Sequence, residues 1–253
     1  MAGRYTFGDS DLAAERMGLV AEVFEPSSRA LLARAVPPGV GLALDLGCGP
    51  GHTTRMLAEV CRPGRTVGLD GSERYVARAR ATTPDPSVAF TRHDVTRLHL
   101  PEAPVDVVYA RLLLAHLPDP PGLVERWRTQ LRPGGVVVVD EVESIEAPPG
   151  VLRDYEDLVV ALVAAEGGPM YAGPLLAPLG GECVEVLVEA AVAARMYGMN
   201  LATWGERALA LGLARAGELE RVAAGLGAVA GGADGRGGRE KVRWVLRQIV
   251  VVA

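Results

Sequence analysis

The chain has 253 residues, 49% hydrophobic but only 5% aromatic, with a formal net charge of −5. That is enough apolar chain for one large domain, or a core domain with a smaller cap, built mostly from Ala, Val and Leu. The acidic balance and a single lysine, Lys241, exclude the basic surface a nucleic-acid partner needs and leave one candidate for any lysine Schiff base.

Two short helical patterns come first. In DSDLAAERMGLVAEVF, Ala13, Met17, Val20 and Phe24 recur at helical spacing behind Asp9 and Ser10 as caps. Pro26 is expected to end that helix, and SSRALLARAV forms a second before the break at Pro37, Pro38 and Gly39. From Val40 to about Glu143 strands alternate with helices: strand GLALDL, helix HTTRMLAEVC, strand TVGLD, then ERYVARARA behind Ser72 as cap. SVAFTRHD and VDVVYA read as the third and fourth strands. LVERWRTQL is a helix with Leu123, Trp127 and Leu131 on one face, and the turn RPGG leads into VVVVDEVE, a run suited to a strand buried on both faces. Such alternation predicts a parallel sheet wound with helices on both sides.

Beyond residue 144 the pattern loosens. PPGVLRDYEDLVVALVAAEGG is helical through Leu152, Tyr155, Leu158, Val159 and Leu162, and GPMYAGP is a loop. CVEVLVEA reads as a strand, NLATWGERALALGLARAGELERVAAGL as one or two helices, and AVAGGADGRGG as the most flexible tract. VRWVLRQIVVVA is a closing strand expected to return to the same sheet.

The chemistry-bearing stretch is LDLGCGPGHTT, residues 44–54, where a strand empties through Gly47, Gly49 and Gly51 into a helix. A dinucleotide fingerprint, G-x-G-x-x-G, would place its third glycine at position 52, which is His52. There is no G-x-x-x-x-G-K-[ST] either, so phosphate-binding readings lose ground. Asp45, at the strand end beside the turn, would repel a pyrophosphate and attract an ammonium or sulfonium centre. S-adenosylmethionine carries both cations and an adenosine but no phosphate. Asp70 ends the second strand, 19 residues after Gly51, where an acid can accept hydrogen bonds from ribose hydroxyls. Asp94 ends the third strand and can accept from an adenine amino group.

Taken in order, LALDLGCGPG, VGLDGSERYVARA, FTRHDV, VDVVYARLLLAHLPDP and LRPGGVVVVDE resemble the core of the class I S-adenosylmethionine-dependent methyltransferases, in the bacterial small-molecule type with LRPGG before the fifth strand. The resemblance spans about residues 40 to 143. It implies an α/β fold: a doubly wound, mostly parallel Rossmann-like sheet with a helical cap. By that resemblance residues 1–39 form a helical lid, 40–143 the cofactor-binding core, and 144–253 the cap helices and the strands completing the sheet. Gly47, Gly49 and Gly51 would admit the methionine moiety and Asp45 favour its amino group. Asp70 and Gly71 would hold ribose and adenine, Asp94 and Val95 the adenine, and backbone around Ala110 and Arg111 the floor. The segment YTFGDSDLAAERMGLV is similar to one that folds over the cofactor, placing Tyr5 against its methionine end with Glu15 and Arg16 fixing the lid. AARMYGMNLATW is similar to a roof over the substrate.

The acceptor side is less defined. His116, in LLAHLPDP, is a candidate general base beside the reading that it bonds backbone at a helix end. Asp140 and Glu141 end the fifth strand at the mouth, as substrate contacts or solvated acids. Arg195 and Asn200 are candidates for a substrate carboxylate or oxygen, or Asn200 for capping a helix that starts near it. Tyr155, Tyr171 and Trp204 are expected in the cap core. His52, His93, His99 and His116 make no zinc pattern, and Cys48, Cys61 and Cys183 are odd in number without ligand spacing, so no metal and reduced thiols in a cytoplasmic protein are expected. YARL stands where N/D-P-P-Y/F would mark amide- and base-directed enzymes. The expected function is methyl transfer to a small molecule, apolar acceptors included, by in-line displacement in specialised metabolism, with no membrane partner. Two alternatives stay open: the same fold catalysing a non-methylating cyclisation or elimination, and a non-catalytic partner subunit. A homodimer is compatible with each.

Overall fold

The apolar runs of the first half become the parallel part of one sheet. In the computed structural model, which describes residues 8–232 and 240–253, these are β1 (Leu42–Leu46), β2 (Arg65–Asp70), β3 (Val88–Arg92), β4 (Val105–Arg111) and β5 (Leu131–Glu146). Helices α2 (His52–Cys61), α3 (Glu73–Thr82) and α4 (Pro120–Arg128) alternate with them. The spatial order is β3-β2-β1-β4-β5-β7-β6, with β6 spanning Glu182–Glu189 and β7 spanning Lys241–Val252. β1 to β5 run parallel, and β7 inserts antiparallel between β5 and β6. The closing strand thus returns to the sheet as its composition predicts.

Alternation along the strands sends side chains to two covered faces. Leu44, Leu46, Val108 and Val137 pack with Leu123, Val124 and Trp127 of α4. Ala43, Val107, Tyr109 and Val138 pack with Met56 and Leu57 of α2 and with Leu31 and Leu32 of α1 (Asp11–Ala35). Trp127 also donates its indole N–H to the Val95 carbonyl at 2.9 Å, pinning the chain after β3. The expected RPGG turn is a bulge at the start of β5: Val105 pairs with Leu131, but Val107 already pairs with Val136.

Three expectations change. Pro26 does not end the first helix: α1 runs unbroken for 25 residues, with Ser10 accepting from the Ala13 N–H at its start. Pro26 and Glu22, whose carbonyl loses its donor, are both exposed. The missing bond therefore faces water, while Phe24, Ser28, Leu31 and Leu32 are buried on either side of it. Asn200 does not start a helix either. It sits mid-way along α7 (Ala190–Ala210), whose alanine-rich first turns extend the helix upstream of the stretch expected. The expected flexible tract begins as the last turn of α8 (Ala216–Ala230), and residues 233–238 of it lie outside the described residues.

Helices α5 (Val151–Ala165), α7 and α8 share a second core with the far ends of β5 and β7, through residues such as Leu152, Val159, Leu162, Trp204, Leu226 and Leu246. Between α5 and β6 lies only the short helix α6 (Gly173–Leu176) and a 3-10 turn. No described helix is long and apolar enough to cross a membrane.

Candidate active site

A cleft of about 1360 Å³ opens where the carboxyl ends of β1, β2, β3 and β4 meet α1, α5 and α7. Open α/β sheets bind ligands at this edge, because neighbouring connections there leave in opposite directions. Of the predicted residues, Gly47, Gly49, Asp70, Gly71, Asp94, Val95, Arg111, His116, Glu141 and Asn200 line it. Tyr5 lies outside the described residues.

Gly47 and Gly49 need their lack of a side chain. Both have positive φ, +66° and +50°, and a Cβ would stand 2.6 Å from Leu113 Cδ1 and 3.0 Å from Met17 Cε respectively. Asp70 accepts the Gly49 N–H at 2.9 Å on one oxygen and the Ser72 N–H at 2.8 Å on the other. Burial nonetheless raises its pKa above the ordinary carboxylate value, against those two bonds. Asp94 accepts the Thr96 hydroxyl at 2.6 Å, which holds its pKa low. The first turn of α1 closes the rim, Asp9 accepting the Ser72 hydroxyl at 2.7 Å and the Gly8 carbonyl accepting the Tyr75 hydroxyl at 3.0 Å.

Four predicted placements are corrected. Asp45 does not face the cleft: it is 1% exposed, and its Oδ2 accepts both the Thr53 and Thr54 hydroxyls at 2.6 Å. It anchors the first turn of α2, and burial raises its pKa to about 6. Gly51 is needed for packing, not ligand approach, since a Cβ there would lie 2.9 Å from Phe90 Cζ and 3.0 Å from Ala79 Cβ. Arg195 is exposed on α7 and pairs with Glu15 at 3.3 Å, joining α7 to α1. Asp140 is buried beneath the cleft, accepting from the Ser28 hydroxyl at 2.7 Å and the Gln248 amide at 3.2 Å.

Glu141 is 1% exposed, neither a free base nor a solvated acid. Its Oε1 accepts the N–H groups of Leu113 and Leu114 at 2.6 and 2.8 Å, fixing the loop after β4. Burial pushes its pKa up to about 8. His116, on the 3-10 turn Leu114–His116, is lowered to about 4 by burial and then by the Arg16 guanidinium. It is a neutral, weakly basic imidazole at neutral pH.

The roof joins Asn200 and its stretch, which the sequence had marked as a candidate roof, to residues assigned to plain core or passed over. Tyr155, Glu156 and Val159 of α5, Met196, Tyr197 and Asn200 of α7, with Met170 and Tyr171 between, complete the wall. Tyr155 and Tyr197 stack with centroids 4.2 Å apart, Tyr197 donates to Glu156 at 2.9 Å, and the Asn200 amide donates to Tyr155 Oη at 2.7 Å. One signal for these was available: Glu156 and Asn200 are polar residues inside apolar helical stripes. Trp204 is buried core, as expected. Among the described residues no three His, Cys, Asp or Glu side chains gather as a metal site would.

The strand order, the antiparallel β7 and a cleft at the carboxyl edge define the Rossmann-like fold of class I methyltransferases. Residues 44–139 match the family model described as a methyltransferase domain. The chain's curated relatives include proteins named trans-aconitate 2-methyltransferase. The one from Variovorax paradoxus is 33% identical over 60% of this chain and 58% of its own length. The one from Methylobacterium radiotolerans is 36% identical over 57% and 55%. The chain spans about half the length of the curated relatives it matches. A structure from Anaeromyxobacter dehalogenans, provisionally described as a type II methyltransferase, shares the fold at TM-score 0.60 and 23% identity, over 89% of this chain and 95% of that one.

Proposed function

We propose that this chain transfers a methyl group from S-adenosylmethionine to a small-molecule acceptor. The observation that carries the reading is a single continuous cleft with a polar, acid-lined half at the sheet edge and an apolar, aromatic half under the roof. The first half fits the cofactor. Asp70 and Asp94 offer acceptors for ribose hydroxyls and an amino group, and Gly47 and Gly49 bring backbone without side chains to the cleft wall. A pyrophosphate fits poorly, because the first turn of α2, where its charge would be received, already holds the Asp45 carboxylate.

When bound, S-adenosylmethionine supplies a methyl group already activated by a sulfonium leaving group. The protein's work is then alignment and exclusion of water. Glu141 fixes Leu113 and Leu114 where the two halves of the cleft meet, and α1 and α7 are joined over it through Glu15 and Arg195. Neither His116 nor Glu141 is a strong free base, which suits an acceptor that reaches the site ready to react or sheds its proton to water. A specialised metabolite is the acceptor class we propose. The test is incubation of the full chain with methyl-labelled S-adenosylmethionine and fractionated small-molecule extract of a producing bacterium. Label should enter a low-molecular-weight product; label confined to protein or nucleic acid would refute the proposal.

A further inference from the structure

The roof carries one built polar site within its apolar wall. Asn200 and Tyr155 are 6% and 2% exposed, both line the cleft, and one amide hydrogen bond of 2.7 Å joins them. That bond uses the amide nitrogen and leaves Asn200 Oδ1 buried with no partner. It also uses Tyr155 Oη as acceptor, so the phenolic hydrogen remains to be given elsewhere. The pair therefore presents one acceptor and one donor side by side.

The surroundings keep this pair in place and dry. Tyr155 is stacked on Tyr197 at 4.2 Å, and the Tyr197 hydroxyl is committed to Glu156 at 2.9 Å. Val159, Met170 and Met196 are its apolar neighbours in the wall. A buried polar atom without a partner is costly, so a ligand that satisfies both atoms is favoured over one that satisfies neither.

We infer that the acceptor substrate carries a neutral hydroxyl group, alcohol or phenol, that docks between Asn200 and Tyr155, donating to one and accepting from the other. The inference rests on the reading of the roof half as the acceptor site. A hydroxyl is the smallest group with both a donor and an acceptor on one atom. A carboxylate offers acceptors only, and an alkylammonium donors only. The site thus selects differently from one built for a polycarboxylate. The hydroxyl is an anchor here; which atom receives the methyl group is a separate matter.

The test is titration of benzyl alcohol, toluene, benzoate and benzylamine into the full-length chain by ligand-observed NMR, with S-adenosylhomocysteine binding measured separately by calorimetry. Benzyl alcohol should bind about tenfold more tightly than toluene or benzoate, and more tightly than benzylamine. In Asn200→Leu and Tyr155→Phe, checked for folding by circular dichroism, that preference should fall to near parity with toluene. Benzoate or benzylamine binding as well as benzyl alcohol in the wild-type chain would overturn the inference without needing any variant. So would a preference unchanged in both variants, or no binding of benzyl alcohol up to its solubility. Failure of S-adenosylhomocysteine to bind while the alcohol preference holds would instead overturn the proposed function and leave the roof site standing.

Discussion

At Glu141 burial and hydrogen bonding pull against each other. Two backbone N–H groups favour its charged form, yet burial wins and lifts its pKa from 4.5 to about 8. The folded state then binds more protons than the unfolded one between those values, so stability is full below about 4.5 and is lost as pH rises toward 8. His116 and His52, both lowered from 6.5 to about 4 by burial, act in the opposite sense: their contribution is present above 6.5 and lost as pH falls toward 4. Between pH 6.5 and 8 the histidines are silent, and Glu141 adds a downward slope. We expect the melting temperature to fall more steeply across that interval in the wild type than in Glu141→Gln, measured by calorimetric scanning. Equal slopes would show that Glu141 is ionised throughout. At this scale the sequence was a partial guide: it picked out Asp45 and Arg195 by type and neighbourhood, but whether a side chain faces the cleft depends on partners far along the chain or packed from another layer.

Helix α1 carries the clearest test at the scale of elements. Proline in a helix interior costs about 3 kcal/mol relative to alanine, and α1 tolerates it because Pro26 faces water while its neighbours are buried. The anchors on either side are specific: Ser27 accepts from the Gln248 amide at 3.0 Å, and Ser28 donates to Asp140 at 2.7 Å. Pro26→Ala should therefore raise unfolding stability by about 1–3 kcal/mol in urea. A loss would mean that the proline sets a bend these serines require. The same helix shows where reading by local pattern stops. β1, β2, β4 and α3 were legible because their signals are local, an unbroken apolar run or a cap such as Ser72. α1 was divided at Pro26 because nothing nearby in sequence announces Asp140 or Gln248, which hold the two halves in line. α7 was started too late for a related reason: Asn200 resembles a cap until Tyr155, 45 residues earlier, is seen to take its amide.

Across the whole molecule, one sheet edge and one helical roof divide the labour. The parallel strands set out Gly47, Asp70 and Asp94, and the second core around α5, α7 and α8 carries Tyr155 and Asn200 over them. The first half was readable from motifs; of the second only the α7 stretch with Asn200 was picked out, since its pairing with Tyr155 arises only when two helices meet. The central claim is that the sheet edge holds an adenosyl sulfur compound and not a dinucleotide. Calorimetry of the full chain with S-adenosylhomocysteine, and separately with NADH, tests it most directly, using the wild type and Asp70→Asn. We predict one S-adenosylhomocysteine per chain, about 10–100-fold weaker in Asp70→Asn, and no heat from NADH. Binding of NADH, or S-adenosylhomocysteine affinity untouched by Asp70→Asn, would contradict it.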